Sequence, residues 1–425
     1  MKQMMPDVTN RKLEGKPIPS SDFKKFGIAS SDVYKHVDTL DDIRIQKPNM
    51  IVAECKKNCE FLQNQFKKQT LKKKNKYVMS LSVYRQLHYS DNHGKVLKPS
   101  TIKFDNLYKP YEGQDLSDKR LLIWRTGGIG DLLFIQPNLI HLKEKYPTCE
   151  IYFACGPQYH AMVETWDCID TLVDLPFNFL QMVRADYHVT FEGVIERCDL
   201  AKNTNAYRLF TDWMGLFLPD EKLKPVNIPK PELVEKARGA LWSWGIEKTP
   251  FIVAQLRASS PIRTPRPSVW GKILNILAKE GHTIVITDSK RFEDGIKDFI
   301  NAFIDEDVRH RVFNFAPYSE ALDATIALIS FSTLVLSIDS AAVHLAASLN
   351  KPSLTLYGPF PSKIRISTYG KQAQAIECND VSCAPCYIHG HIPCKNSQDD
   401  HGRCFDAIKY DEVLEKANEM MKEYS

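Results

Sequence analysis

A carboxylate stands directly behind a glycine-rich loop in the first half of the chain. The apolar run at residues 121–124 predicts a buried parallel strand, and the spacing of apolar residues after Asp131 predicts an amphipathic helix. Between them, Gly127, Gly128 and Gly130 leave little side-chain bulk. A strand, a glycine loop and a helix in that order bring backbone N–H groups and a helix N-terminus to one point, which attracts anions. A carboxylate at such a point indicates an active-site loop rather than a plain phosphate cradle.

Two familiar phosphate-binding motifs do not fit this loop. A dinucleotide-binding fingerprint needs three glycines, in the pattern Gly-x-Gly-x-x-Gly. Counted from Gly127, the second and third glycine positions hold Ile129 and Leu132; counted from Gly128, the third holds Leu133. No Gly-Lys-Ser/Thr sequence follows, which excludes a nucleoside-triphosphate P-loop. A purely structural interpretation stays open, in which Asp131 caps the helix and the glycines form a tight turn.

A second strand-to-helix junction lies at residues 337–347, in the other half of the chain. Asp339 or Ser340 is expected to cap the helix there, so that the first backbone N–H groups point at a bound anion. His344 lies about one helical turn further and can reach the same anion or a neighbouring hydroxyl. The structural alternative is that Asp339 only caps the helix and His344 packs among the surrounding alanines.

Polar residues also follow the other strands predicted in this half. Those residues are Arg257, Ser259, Ser260, Arg263, Arg266, Asp288 and Ser289. Arginine and serine side chains donate hydrogen bonds to phosphate, and an aspartate can accept them from a ribose or a base. Because parallel strands end at one edge of their sheet, these groups and the turn at residues 357–360 are expected to converge. Together they predict a site for a nucleoside diphosphate.

The elements that position these residues alternate between strand and helix from residue 121 onward, which predicts parallel βαβ units. Strands are predicted at residues 121–124, 150–154, 171–175, 187–191, 251–256, 283–287, 311–315, 333–337 and 353–356, and the helices in the second half include 231–244 and 267–279. Four prolines between residues 218 and 231 divide the alternation into two series and indicate a linker. The predicted fold class is therefore α/β, with two Rossmann-like domains facing across a cleft. The expected parts are an accessory N-terminal region at 1–118, a first Rossmann-like domain at 119–228 and a second at 229–425.

The composition is that of a globular protein with more than one domain. The 425 residues are 43% hydrophobic and 25% charged, and the net charge of +4 is too small to indicate nucleic-acid binding. Six lysines crowd residues 67–76 and are expected to form a solvated helix face or loop, with contact to an anionic membrane surface as the alternative. Helical patches are predicted nearby, at residues 38–47 and 58–66. No stretch has the pattern of a transmembrane helix or a signal peptide, so a cytoplasmic protein is expected.

Five of the eleven cysteines fall within residues 378–404, ahead of a predicted C-terminal helix at 410–424. Cys383 and Cys386 form a Cys-x2-Cys pair, and Cys394 and Cys404 follow it. Four thiolates with one close pair are sufficient for a tetrahedral structural zinc or iron site. The other interpretation is that these cysteines are reduced thiols in a loop, since a cytoplasmic compartment disfavours disulfides.

The two junctions occur in an order and at a separation that resemble glycosyltransferase family 9, the family of the ADP-heptose:lipopolysaccharide heptosyltransferases. The first motif is Arg-Thr-Gly-Gly-Ile-Gly-Asp at 125–131, and the second runs from Asp-Ser at 339–340 to Leu-Tyr-Gly-Pro at 356–359. The likeness covers residues 119–425. It implies a GT-B type fold and an inverting transfer of a heptose-like sugar. The implied donor is a nucleotide-diphosphate sugar, with an ADP-sugar expected, and the implied acceptor is a glycan or lipid-linked saccharide of the lipopolysaccharide type.

The resemblance also implies roles for individual residues, with no cofactor required for catalysis. Asp131 matches the carboxylate that serves the family as catalytic base. The residues expected to bind the donor are Thr126, Gly127, Gly128, Gly130, Arg257, Ser259, Arg263, Arg266, Asp288, Asp339, Ser340, Ala341 and His344. Two positions depart from the family pattern. Ala341 stands where a glycine is usual, and the basic loop at 257–266 lacks the usual lysine, so Arg263 or Arg266 would substitute for it.

Two other classes of protein stay open. A Rossmann-type NAD-dependent sugar-nucleotide enzyme needs a Gly-x-Gly-x-x-Gly fingerprint, and neither leading strand is followed by one. A non-catalytic nucleotide- or sugar-binding protein is favoured by Ala341 and by the altered basic loop, whereas Asp131 in its glycine loop favours catalysis.

Overall fold

The computed structural model describes a chain with two compact units. The residues it describes are 38–45, 50–63, 67–80, 83–84, 96–320, 322–388, 394–397 and 399–424. The N-terminal unit ends at Lys222, and the C-terminal unit begins at Leu223. None of the helices within these described ranges combines the length and the apolar composition that crossing a membrane requires.

The N-terminal unit opens with a short helix and antiparallel strands. These elements are α1 (Leu40–Ile45), β1 (Met50–Cys55), β2 (Cys59–Gln63), β3 (Lys67–Leu71), β4 (Lys76–Ser80) and β5 (Leu97–Pro99). β1 pairs with β4 on one side and with β5 on the other, while β2 and β3 form a separate hairpin. The helix predicted at residues 58–66 is therefore wrong where the structure describes it, because residues 59–63 pair with residues 67–71 as a strand. The lysine-rich residues lie in β3, in β4 and in the turn between them rather than on a helix.

A parallel sheet follows, with strand order β10-β6-β7-β8. Its strands, with the short β9, are β6 (Arg120–Trp124), β7 (Glu150–Cys155), β8 (Thr171–Asp174), β9 (Phe177–Asn178) and β10 (Tyr187–Thr190). The accompanying helices are α2 (Ile129–Lys145), α3 (His160–Val163), α4 (Leu180–Arg184), α5 (Val194–Arg197) and α6 (Ala206–Trp213). All four parallel strands were predicted, because buried parallel strands are nearly continuous apolar runs.

The two sheets of the N-terminal unit share one core. β9 follows β8 in the chain but pairs antiparallel with β4 of the other sheet, with Phe177 opposite Val78. Met50 and Val78 from the antiparallel sheet pack in the same buried cluster as Leu122 and Trp124 from β6. The strands before residue 118 are thus built into the same unit as the first Rossmann-like sheet.

The C-terminal unit is a larger α/β layer structure. Its strands are β11 (Phe251–Ala254), β12 (Thr283–Ile286), β13 (Val312–Asn314), β14 (Leu334–Ile338), β15 (Ser353–Tyr357) and β16 (Ala373–Glu377). Its helices are α7 (Pro231–Ser243), α8 (Pro267–Lys279), α9 (Glu293–Phe303), α10 (Leu322–Phe331), α11 (Ala341–Ser348), α12 (Lys363–Ile366) and α13 (Tyr410–Tyr424). The strand order is β13-β12-β11-β14-β15-β16, and every pairing is parallel.

This sheet brings the predicted polar residues to one edge. The central strands β11, β12, β14 and β15 are buried along their whole length, which their apolar sequences require. Because all strands run the same way, the residues that follow them lie at one end of the sheet. The structure confirms the predicted α/β class, while β16 was missed because its Ala-Gln-Ala-Ile-Glu sequence mixes polar and apolar residues.

Candidate functional site

The glycine loop of the N-terminal unit carries Asp131 into the first turn of α2. Gly128 is the residue before the helix, and its backbone N–H donates a 2.7 Å hydrogen bond to Asp131 Oδ2. Asp131 therefore caps the helix, as the structural interpretation predicted. Its side chain is still 24% exposed, which leaves the carboxylate accessible to a small polar group. Capping and a chemical role are compatible at this position.

A buried arginine holds the other side of this carboxylate. Arg125 is 1% exposed, and its guanidinium lies 3.2 Å from Asp131 Oδ1. The same guanidinium donates to the Phe191 carbonyl oxygen at 2.7 Å and to both carboxylate oxygens of Glu196. A guanidinium presents five N–H donors in one plane, so a single arginine can serve all three partners. Asp131 is thus fixed by Gly128 on one oxygen and by Arg125 on the other.

A third carboxylate, Glu192, completes the Arg125 cluster, which comprises Arg125, Asp131, Glu192 and Glu196. The Thr126 hydroxyl donates to Glu192 Oε2 at 2.6 Å, and the Thr126 backbone N–H donates to Oε1. Burial raises the pKa of Glu192, although Arg125 and Thr126 act in the opposite direction. Three ionised carboxylates around one guanidinium would leave two surplus negative charges, and a proton on Glu192 relieves part of that repulsion.

Gly127 is required by the close approach of these side chains. A Cβ atom there would stand 2.6 Å from Arg125 Nε and closer still to the Asp131 carboxylate. Because hydrogen bonds hold both side chains, neither can move aside without breaking the ion pair between Arg125 and Asp131. At Gly128 an added Cβ would meet nothing nearer than 3.8 Å. The loop therefore needs a glycine at 127 to let the arginine and the carboxylate meet.

In the C-terminal unit, Arg263 joins the basic loop to the start of α11. Asp339 directly follows β14, and Arg263 donates to its carbonyl oxygen at 3.1 Å and lies 3.4 Å from its Oδ2. The Arg263 guanidinium also donates to Ser259 Oγ at 2.8 Å. Ser340 caps the helix, accepting from Ala342 N–H at 3.4 Å. The structure thus places Ser259, Arg263, Asp339 and Ser340 together, with Ala341 as the first helical residue.

His344 packs inside the C-terminal unit. It is buried, and its Nδ1 lies 2.6 Å from the Tyr369 hydroxyl oxygen. The two rings also meet edge to face. The ring of His344 is thus positioned by a tyrosine from outside its own helix.

Arg257 and Asp288 form a separate pair at the same sheet edge. Arg257 Nε donates to Asp288 Oδ2 at 2.8 Å, and the guanidinium stacks 3.3 Å from the centre of the Phe292 ring. Burial and the neighbouring Arg257 lower the pKa of Arg291, whose guanidinium also lies over the Phe292 ring. Asp288 is thus engaged with an arginine and keeps one oxygen bonded to the Ser289 backbone N–H.

Arg266 has contacts that point away from donor binding. Its guanidinium donates to Asp399 at 2.7 Å and to Ser397 Oγ at 2.9 Å, and it pairs with Asp406. These partners lie in or just after the Cys-rich segment, residues 378–404. Of the two arginines predicted to replace the usual lysine, Arg263 is the one at Asp339, whereas Arg266 anchors the Cys-rich segment to the basic loop.

The predicted metal ligands lie near one another but do not form a coordination site. Burial raises the pKa of the Cys404 thiol to about 12, and the neighbouring Cys386 and Cys394 add to this shift. Cys383 and Cys394 likewise add to the burial that raises the pKa of Cys386. In the part of the chain that the structure describes, no three histidine, cysteine or acidic side chains are grouped as metal binding requires.

Sequence reasoning missed Arg125, Glu192 and Arg365 as site residues. The first two were detectable, since each directly follows a strand that was predicted for the same parallel sheet and so had to lie at one edge. Arg365 lies on the single-turn α12 and approaches Asp339 Oδ1 at 3.9 Å. No periodicity or motif signals that contact.

Residues 216–395 match the model of glycosyltransferase family 9 (heptosyltransferase). A curated relative, lipooligosaccharide heptosyltransferase 2 of Haemophilus influenzae, is 28% identical over 90 residues, which are 21% of this chain and 25% of the relative. This match spans about a quarter of that relative's length. The findings confirm the resemblance to glycosyltransferase family 9, and the matched region includes the second of the two motifs.

Two solved structures have the same fold at low sequence identity. The family 9 glycosyltransferase of Veillonella parvula DSM 2008 superposes with a TM-score of 0.56 and 14% identity, covering 73% of this chain and 99% of that one. The iron-containing dodecameric glycosyltransferase TibC of enterotoxigenic E. coli H10407 gives a TM-score of 0.50 and 10% identity, covering 89% of this chain and 93% of that one. The likeness confirms the predicted α/β fold of GT-B type.

Proposed function

We propose that this protein is an inverting glycosyltransferase, because residues 216–395 match the model of glycosyltransferase family 9. It moves a heptose-like sugar from a nucleotide-diphosphate donor to a glycan or lipid-linked acceptor. The observation that carries the proposal is the Asp131 carboxylate, which Arg125 and the Gly128 N–H fix in place while part of it stays exposed. A fixed and accessible carboxylate is what a general base requires.

The chemical step is a single displacement. Asp131 accepts the proton of an acceptor hydroxyl, and the freed oxygen forms a bond to the anomeric carbon of the donor. The bond from that carbon to the diphosphate oxygen breaks, and its electron pair leaves with the diphosphate. Attack from the face opposite the leaving group inverts the anomeric configuration. Arg125 holds one oxygen of the Asp131 carboxylate at 3.2 Å, which keeps the base in a fixed position for the acceptor hydroxyl.

The donor site in this proposal lies at the start of α11. The guanidinium of Arg263 and the positive N-terminal end of the α11 helix dipole stabilise the negative charge that develops on the leaving diphosphate. Arg263 takes the place of the family's lysine, since Arg266 is bound by Asp399 and Asp406. An ADP-sugar donor is supported by TibC, whose structure was solved in complex with ADP-D-β-D-heptose. These protein groups supply the required charge without a cofactor.

The acceptor in this proposal is a glycan or lipid-linked saccharide of the lipopolysaccharide type, reached at the cytoplasmic face of the membrane. The name of the curated relative, a lipooligosaccharide heptosyltransferase, supports that class. Exposed lysines beside the β2–β3 hairpin, among them Lys57, Lys73 and Lys74, offer a positive surface to anionic head groups.

The first test of the donor site is a thermal-shift comparison of ADP, UDP, GDP, CMP and NAD on the full chain. One nucleoside diphosphate, with ADP expected, should raise Tm by several degrees. Ligand at 100 times Kd stabilises by about 2.7 kcal/mol, and each kcal/mol moves Tm by about 2–4 °C in units of this size. The shift should be lost in Arg263→Met and kept in Arg238→Met, a control on the exposed side of α7. A shift with NAD alone would contradict the proposal.

The cysteines carry a separate proposal, which rests on their number and spacing and not on the described geometry: on metal binding, Cys383, Cys386, Cys394 and Cys404 come together around a structural zinc or iron ion. A set of four thiols suits either metal, and Cys386 and Cys394 contribute to the raised pKa of the Cys404 thiol. The description of TibC as iron-containing supports the same class of site. The ion would hold the Cys-rich segment in place and take no part in catalysis.

Elemental analysis of freshly purified protein tests the metal site. We expect close to one zinc or iron ion per chain, lost in the double variant Cys383→Ser/Cys386→Ser together with a fall in Tm, because a closed structural site contributes directly to folding. Cys168→Ala, in the N-terminal unit, should keep the metal. A trace far below stoichiometry in the unmodified protein would show that these cysteines are ordinary thiols.

A further inference from the structure

Two buried arginines hold the carboxylate of Asp339. Arg263 lies 3.4 Å from Oδ2, and Arg365 Nε lies 3.9 Å from Oδ1. The exposed fractions are 9% for Arg263, 7% for Arg365 and 4% for Asp339. Arg365 comes from α12, beyond the end of β15, and its guanidinium is placed 5.0 Å from the centre of the Phe360 ring. Two separate loops therefore direct their arginines to one aspartate at the start of α11.

This group of three residues carries a surplus positive charge. Two guanidinium ions face one carboxylate, and the helix N-terminus adds about half a positive charge. Glu377, another carboxylate in this region, is exposed and accepts a hydrogen bond from the Ser362 N–H at 2.9 Å. Keeping a net charge away from water is costly unless a counter-ion arrives. The arrangement is therefore suited to an anion that carries more than one negative charge.

A buried hydroxyl points to the same place. Tyr357, the last residue of β15, is fully buried, and among the described residues its hydroxyl has no hydrogen-bond partner. Burial and the nearby Asp339 raise its pKa, while Arg365 acts in the opposite direction, so the hydroxyl stays protonated beside these two side chains. Arg263 Nε is a second buried donor without a partner in the described structure. Buried donors left unsatisfied are rare, and a bound anion at this point would satisfy both of them.

Resting on the proposed function, we infer that Arg365 is the second cation of the donor site and binds the diphosphate together with Arg263. Asp339 is then a positioning residue, because a carboxylate repels phosphate but can hold two guanidinium groups in register. The Tyr357 hydroxyl donates to the same diphosphate. This assignment adds a second positive charge, carried by α12, to that of Arg263, which takes the place of the family's lysine.

Calorimetric titration with ADP, AMP and adenosine separates a phosphate contact from a structural role. In the unmodified protein ADP should bind more tightly than AMP. Arg365→Met should weaken ADP binding about tenfold to a hundredfold, the usual effect of one hydrogen bond to a charged group, and should leave adenosine binding unchanged. Arg238→Met is the matched control and should bind all three ligands normally. Arg365→Lys, which keeps the charge but cannot reproduce the planar contact, should fall between the two.

The outcomes distinguish this inference from the proposed function. If the unmodified protein binds ADP and Arg365→Met binds it equally well, Arg365 is not a donor ligand, and the proposed function stands. If ADP and adenosine binding weaken by the same factor, Arg365 acts on the fold, and the inference is likewise wrong. If the unmodified protein binds no nucleoside diphosphate, both fall. Circular dichroism and Tm verify folding, and Arg365→Lys provides the comparison if the methionine variant does not fold.

Discussion

Replacing Asp131 by asparagine is expected to lower the rate of sugar transfer about 10²–10⁴-fold, the range that general acid–base catalysis contributes. Asparagine has nearly the same size and can still accept the 2.7 Å hydrogen bond from Gly128 N–H, so the loop should keep its shape. What it cannot do is accept a proton from the acceptor. Initial rates with a sugar-nucleotide donor measure the loss, and calorimetry with the matching nucleoside diphosphate should show unchanged donor binding.

The matched control for this variant is Asp167→Asn, an exposed aspartate of the same unit. It removes the same charge outside the Arg125 cluster and should transfer sugar at the normal rate. Normal turnover by Asp131→Asn would show that the carboxylate only caps α2. A parallel loss of donor affinity would instead place Asp131 in donor binding.

Replacing Arg125 by methionine is expected to lower the free energy of unfolding of the N-terminal unit by about 3–5 kcal/mol, the usual cost of removing one partner from a buried ion pair. Burial works against the charged guanidinium, yet Glu196, Asp131 and Glu192 raise the pKa of Arg125 above its ordinary value. Without the arginine, these carboxylates face each other with no cation among them. Urea unfolding followed by tryptophan fluorescence measures the change.

The pH dependence of this loss has a defined sign. Arg125 lowers the pKa of Glu192, so its removal raises that pKa further above the ordinary 4.5. A carboxyl with a raised pKa in the folded state contributes its stability below the unfolded pKa and loses it as pH rises. The deficit of Arg125→Met should therefore grow between about pH 4 and 7. A deficit independent of pH would show that packing, and not charge, is what the arginine supplies.

Arg120→Met is the natural comparison, because Arg120 begins the same strand and pairs with Glu150 at the surface. Its side chain and that of Glu150 are 30% and 51% exposed. Exposed pairs of this kind contribute about 0–1 kcal/mol. An equal loss from Arg120→Met and Arg125→Met would contradict the role assigned to burial.

Local patterns were sufficient to predict most of the C-terminal unit. Helices at Pro267–Lys279 and Tyr410–Tyr424 begin and end where the sequence indicated, since a proline or a charged first turn marks each start. The buried strands were equally visible as short apolar runs. In such βαβ units each element can be predicted from its own residues, whereas the strand order comes from the structure.

Contacts between distant residues were not predictable in the same way. Residues 59–63 have no strong period of their own and form a strand because they pair with residues 67–71. β9 is two residues long and exists because Lys76–Ser80 lies beside it, far earlier in the sequence. Tertiary pairing of this kind overrides local propensity.

In the candidate site too, residues next to each other in sequence were predictable, and contacts between distant residues were not. Asp131 was identified because a glycine loop and a helix start are adjacent in sequence. Glu192 accepts a hydrogen bond from Thr126, 66 residues earlier in the chain. Arg365 pairs with Asp339, 26 residues earlier. Single-sequence patterns carry no information on such pairings, and the choice between Arg263 and Arg266 depended on acidic residues more than 70 positions away.

The core shared by the antiparallel and parallel sheets bears on how the protein can be shortened. Removing the strands before residue 118 would strip Met50 and Val78 from Trp124 and leave β9 with an open edge, a recognised route to aggregation. A shortened chain that begins at β6 should therefore be less soluble than the full chain, because the apolar face that the antiparallel strands cover would meet water.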